Sequence, residues 1–164
     1  MIRTFTGRSV DPFNMRAEDI DIVDIAHALS MICRYGGHVS QFYSVAEHSC
    51  LVSFSLPREL ALWGLLHDAG EAYLGDIPTP IKTKIHRERE DAVMLAVIER
   101  FNLDPNVMPF DVHRADKAIL ADEMFNMMGG HKPHDTPLGV KIHNWSPEQA
   151  KRNFLIAFQD LTSI

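Results

Sequence analysis

The chain has 164 residues, with 16 Lys+Arg against 22 Asp+Glu and a formal net charge of −6. That length suits one domain with a real core, and 46% hydrophobic with 23% charged residues excludes a disordered or fibrous chain. No run reaches the roughly 18 consecutive apolar residues of a membrane helix, the first residues lack the apolar core of a secretion signal, and no dense basic run favours nucleic acid, so a cytoplasmic protein is expected.

Residues 2–10 alternate loosely and permit a short strand. Ile22, Ile25, Ala26, Leu29 and Ile32 then recur at helical spacing and predict a helix over 22–33, stopped by Gly36-Gly37. Ser44 with Glu47 spells a capping box for a second helix to about residue 54. Pro57 opens a third, and its run 60–66 is apolar on every face, as in a helix buried all round. Pro78 and Pro80 then impose an ordered turn. Glu90, Val93, Met94, Val97, Ile98 and Phe101 line one stripe of a helix over about 86–101. Asp111 is the expected cap of a helix to about 127, with Ala115, Ile119 and Leu120 on its inner face. Residues 129–144 read as irregular, and Ser146-Pro147-Glu148-Gln149 starts a last helix to about 161. The expected fold is all-α: one bundle of five or six main helices over residues 1–164, with room for a short N-terminal β element. Cys33 and Cys50 are expected as reduced thiols, and the C-x₂-C spacing of structural zinc is absent.

Nine histidines outweigh the net charge in interest, because imidazole is the commonest metal ligand and the usual proton carrier near neutral pH. His67 and Asp68 end the apolar third helix, where an unpaired buried carboxylate costs several kcal/mol. A divalent cation would compensate it, and so would a simple cap with an ion pair. Glu71 lies four residues after His67 and three after Asp68, so a continued helical turn puts all three on one face, with Glu71 placed for proton transfer. His48 and Asp116 set two more ligand types on core-facing stripes of other helices. Four ligands from separate helices make a metal site reasonable, although spacing alone leaves their meeting open.

Three blocks stand out: Arg34 ahead of Val45-Ala46-Glu47-His48-Ser49, then His67-Asp68-Ala69-Gly70-Glu71, then Gly75-Asp76-Ile77-Pro78-Thr79-Pro80-Ile81-Lys82. Over about residues 25 to 125 the chain resembles the HD-domain metal-dependent phosphohydrolases, and most strongly their small bacterial and phage nucleotide hydrolases, which include 5'-deoxyribonucleotidases and phage dATP triphosphohydrolases. The resemblance implies that His48, His67, Asp68 and Asp116 hold one divalent ion (Mn, Co, Mg, Fe, Ni or Zn) and that Glu71 is the acid/base. It also implies that Lys82 and Arg34 neutralise phosphate charge and that Asp76 lies near the sugar. Each of these has a plainer role open to it: Arg34 as a cation at a helix C-terminus, Asp76 as a turn residue, Lys82 as a solvated side chain. His38 is a second candidate for the first ligand, but the V-x-E-H-S match falls on His48, which leaves His38 as a substrate-pocket residue.

His113 lies three residues before Asp116 and shares its face, His131 and His134 fall in the irregular segment, and His27 and His86 read as surface or satisfied helix residues. Met124, Phe125, Met127 and Met128 suit core filling or a subunit contact, and a homo-oligomer is expected from the resemblance and from apolar segments near Met124 and Phe154. The implied activity is hydrolysis of a nucleotide phosphate bond. It leans to a nucleoside 5'-monophosphate, with dNTP cleavage to triphosphate as a close rival. A noncatalytic nucleotide-binding module and a cyclic-nucleotide phosphodiesterase are the alternatives.

Overall fold

Side chains that satisfy the free N–H groups of a first turn set most helix starts here. In the computed structural model, which describes residues 1–129 and 136–163, strands β1 (Ile2–Arg3) and β2 (Ser9–Val10) pair antiparallel, with Ile2 opposite Val10. This hairpin is pinned to the first helix by Asp24, which accepts from Thr6 N at 2.7 Å and Thr6 Oγ1 at 2.8 Å. Helix α1 (Ile22–Met31) is capped by Asp21, and α2 (Val45–Phe54) by Ser44, which accepts from Glu47 N. Helix α3 (Arg58–Leu66) follows Pro57, and after a tight turn comes the single helical turn α4 (Glu71–Leu74). Helix α5 (Lys84–Phe101) opens with a capping box between Thr83 and His86, which gives His86 a structural task. Helices α6 (Phe110–Met127) and α7 (Pro147–Thr162) complete the bundle, the last with the expected Ser146–Gln149 box and Pro147 at its first position. The all-α expectation with a short N-terminal β element is thus observed.

Three details differ from the sequence reading. Asp111 is not a cap: α6 begins at Phe110 after Pro109, and Asp111 is an exposed second residue paired with Arg114 at 2.9 Å. The Ser44 box is only half formed, because the Glu47 carboxylate is engaged elsewhere. The helix buried all round is α2, not α3: every residue of α2 from Val45 to Ser53 is buried, whereas Arg58 and Glu59 of α3 face solvent. Phe154 itself is fully buried, whereas Ile156 in the same segment and Phe125 are exposed.

Helix α2 is central because α1, α3, α6 and α7 all pack on it. Small residues permit the closest of these approaches. A Cβ at Gly64 would lie 2.6 Å from Leu56 Cδ1 and 3.0 Å from Ser53 Cα, and the same contact is stitched by Ser53 Oγ donating to the Ala61 carbonyl at 2.8 Å. Cys50 is buried and Cys33 half-buried, both as free thiols.

Residues 136–146 have no regular structure, yet two buried carboxylates hold them. Asp122 accepts from Leu138 N and Gly139 N, each at 2.9 Å, and Glu47 accepts from His143 N, Asn144 N and Trp145 N at 2.6, 3.0 and 2.7 Å. His131 and His134 lie outside the described residues. No helix among the described residues is long and apolar enough to cross a membrane.

Candidate metal centre

The central helix presents His48 at the middle of its fully buried length, and the end of α3 brings His67 against it. Their Nε2 atoms are 3.3 Å apart. Asp116, on α6, places Oδ1 3.1 Å from His48 Nε2 and 3.9 Å from His67 Nε2. Asp68 Oδ2 lies 3.2 Å from His67 Nε2 and 3.7 Å from His48 Nε2. Ligands at right angles around an ion with bonds of about 2.1 Å are separated by about 3 Å, so these spacings suit one divalent cation. The His48, His67 and Asp116 donor atoms all lie within 4.8 Å of one another and can hold a metal ion.

Both imidazoles are oriented from behind. His67 Nδ1 is 2.7 Å from the Gly64 carbonyl, which can only accept, and His48 Nδ1 is 2.6 Å from Glu123 Oε1. Each ring therefore carries its proton on Nδ1 and turns a bare Nε2 toward the other. Two facing lone pairs beside two carboxylates need a positive charge between them, which is the test a metal site must pass. Without a metal the charge is a proton: burial and Arg34 push His48 down, but Glu123 and Asp116 outweigh them and lift it to about 9. Burial raises the Asp68 carboxyl, yet His67, His48 and Arg34 together hold it well below the usual carboxylate range.

Glu71 follows because the backbone continues from α3 into α4 as tight right-handed turns, with Ala69 N donating to Leu66 O and Glu71 N to Asp68 O. The expected single face is kept, in a tighter coil than an α-helix. Burial, then the negative charges of Asp68 and Asp76, push Glu71 up to about 10, and its buried Oε2 has no hydrogen-bond partner among the described residues. Glu71, His67 and Asp68 line a cavity of about 490 Å³ whose far wall is apolar, with Trp63, Met94, Ile98 and Met108. Lys82 lines it too and is no free solvated side chain: it pairs with Glu90 at 2.8 Å, both being mostly covered. Asp76 is half-buried, and burial raises its carboxyl.

Arg34 is an internal ion rather than a helix C-terminal cation. Its Nε and Nη2 donate to Glu123 Oε2 at 3.3 and 3.2 Å, and Nη1 lies 3.5 Å from Asp68 Oδ2. His38 is exposed just after the Arg34–Gly37 turn, and no hydrogen bond or ion pair among the described residues joins it to the cluster. His113 is half-buried on α6, likewise without such a bond to the cluster. The residue that the sequence reading missed is Glu123. It stands seven residues after Asp116, two turns along the same face of α6, and that spacing was the available signal.

With this geometry in view, the chain is 43% identical over 124 residues to the uncharacterized protein YfdR of Escherichia coli, covering 74% of this chain and 69% of YfdR. The chain belongs to the YfdR family. An uncharacterized protein of Rhodobacter capsulatus is 41% identical to this chain over 128 residues, 71% of this chain and 65% of that protein. A Vibrio parahaemolyticus protein named 5'-deoxynucleotidase is 27% identical over 127 residues, 69% of this chain and 57% of its own length. No protein-family model matches the chain.

Proposed function

We propose that this YfdR-family chain is a divalent-metal-dependent phosphohydrolase that releases phosphate from deoxynucleoside 5'-monophosphates. One observation carries the reading: the donor atoms of His48, His67 and Asp116 lie within 4.8 Å of one another, Asp68 Oδ2 lies 3.2 and 3.7 Å from the two Nε2 atoms, and beside them is a nucleotide-sized cavity lined by Glu71, whose carboxyl is pushed up by burial. The distant relatives named 5'-deoxynucleotidase support the same chemistry. His48, His67, Asp68 and Asp116 would hold the ion, which when bound supplies positive charge to a phosphate oxygen and lowers the pKa of water.

The chain's own residues do the rest. Lys82 faces the phosphate dianion, and Asp76 is available to a sugar hydroxyl. Water adds to phosphorus as the P–O5' bond breaks, and the departing 5'-oxygen takes a proton. Glu71, kept protonated by its burial, supplies that proton and recovers one from the attacking water. The apolar far wall receives the nucleobase.

Charge favours one phosphate over three. The cavity lining sets Lys82 alone against Asp68, Glu90 and Asp91, so the additional negative charge of a triphosphate tail meets no further cationic side chain there. Incubation of dAMP and dATP with the protein and Mn²⁺, Co²⁺ or Mg²⁺, followed by chromatography of the products, tests the proposal. Phosphate and deoxyadenosine from dAMP, at a kcat/KM at least tenfold above that for dATP, are expected. Triphosphate release from dATP at equal or greater efficiency would reverse the substrate assignment, and no turnover of either nucleotide with any ion would overturn the reading.

A further inference from the structure

We infer that Glu123 is a positioning residue that makes the site competent for metal, by fixing the His48 ring and by restraining Arg34. The proposal rests on the metal-dependent reading above, but not on which nucleotide is cleaved.

Glu123 is fully buried and gathers donors from three separate places in the chain. Oε1 accepts from Tyr43 Oη at 2.8 Å and from His48 Nδ1 at 2.6 Å. Oε2 accepts two bonds from Arg34 and a short one from Tyr35 Oη. A carboxylate with this many donors keeps its charge inside a protein. Tyr35 adopts φ +57°, a left-handed conformation that costs a bulky residue of order 1 kcal/mol. The bond to Glu123 is what that conformation secures.

Two consequences act on the cation. A carboxylate on Nδ1 fixes the tautomer that aims Nε2 at the ion and makes the ring a stronger ligand. The second concerns Arg34. Its Nη1 lies 3.5 Å from Asp68 Oδ2, the same oxygen that lies near both imidazoles. A guanidinium so placed competes with a metal for its ligand, and two of its three carboxylate contacts go to Glu123 Oε2. Removing that charge would free Arg34 to settle on Asp68.

The test is Co²⁺ binding by titration calorimetry and by the visible absorption of the bound ion, independent of turnover. Glu123→Gln, folded by circular dichroism, is expected to bind Co²⁺ 10- to 100-fold more weakly than the parent, with an altered visible spectrum. Arg34→Gln added to it should restore at least fivefold of that loss, a non-additivity that simple loosening of the fold would not give. A folded Glu123→Gln that binds within twofold of the parent overturns the proposal, and a parent that binds no Co²⁺ overturns the metal reading as well. If Glu123→Gln does not fold, nitrogen NMR of the Cd²⁺-loaded parent decides: coupling of the ion to His48 Nε2 with a proton on Nδ1 is expected, and the reverse tautomer overturns it.

Discussion

Glu71 is the residue on which turnover and metal binding separate. Glu71→Gln keeps the shape and removes the transferable proton, so kcat should fall by about 10²- to 10⁴-fold while Co²⁺ affinity stays within a few-fold. A variant that keeps full turnover would remove Glu71 from the chemistry. Its burial also predicts how the metal-free protein responds to pH. A carboxyl raised from about 4.5 to about 10 on folding binds its proton more tightly in the folded state, so its stabilising contribution is complete below about 4.5 and is lost as pH rises through about 10. His48, raised to about 9, acts in the same direction above its ordinary value. Melting temperatures in EDTA should therefore fall from pH 6 to pH 10, and Glu71→Gln should flatten part of that slope. At this scale the meeting of His48, His67 and Asp68, with Glu71 beside them, could be anticipated from short local blocks, and that of Asp116 from its place on a core-facing stripe. Glu123 could not, since its meaning lies in donors 75 to 89 positions away that only the folded chain assembles.

Among the helices, the caps of α2 and α7 and the termini of α7 were readable because each depends on residues within one turn. The order of burial was not. Leu-rich α3 looks more internal than Ser-containing α2, but α2 sits between four neighbours and buries Ser53 by bonding it to the Ala61 carbonyl. Gly64 makes that arrangement possible. Gly64→Ala should destabilise the protein by about 1–3 kcal/mol, as overpacking does elsewhere, and denaturant unfolding would show it as a lower midpoint. Because the Gly64 carbonyl also orients His67, weaker Co²⁺ binding should accompany the loss. Ser146→Ala, which removes the α7 cap far from the cluster, should cost about 1 kcal/mol and leave metal affinity unchanged. Equal effects of both variants on Co²⁺ would contradict this placement.

For the molecule as a whole, a ligand that binds only the folded state must stabilise it. Metal at 100 times its dissociation constant contributes about 2.7 kcal/mol, which for a chain of this size raises the melting temperature by roughly 5–10 °C. Asp116→Asn should abolish most of that rise, and an equal rise in the variant would place the ion elsewhere. The all-α architecture could be anticipated from periodicity, whereas the course of residues 136–146 could not, because irregular backbone follows its anchors rather than a repeat. Those anchors have a consequence of their own. Glu47 and Asp122 are the immediate chain neighbours of His48 and Glu123, so on α2 and on α6 one residue looks inward to the reaction while the next grips the outer segment from behind. The segment is thus a girdle fastened to the two helices that must not drift apart. Loosening either buckle, as in Glu47→Gln, should speed amide hydrogen exchange at His143, Asn144 and Trp145 and carry the disturbance one peptide bond inward.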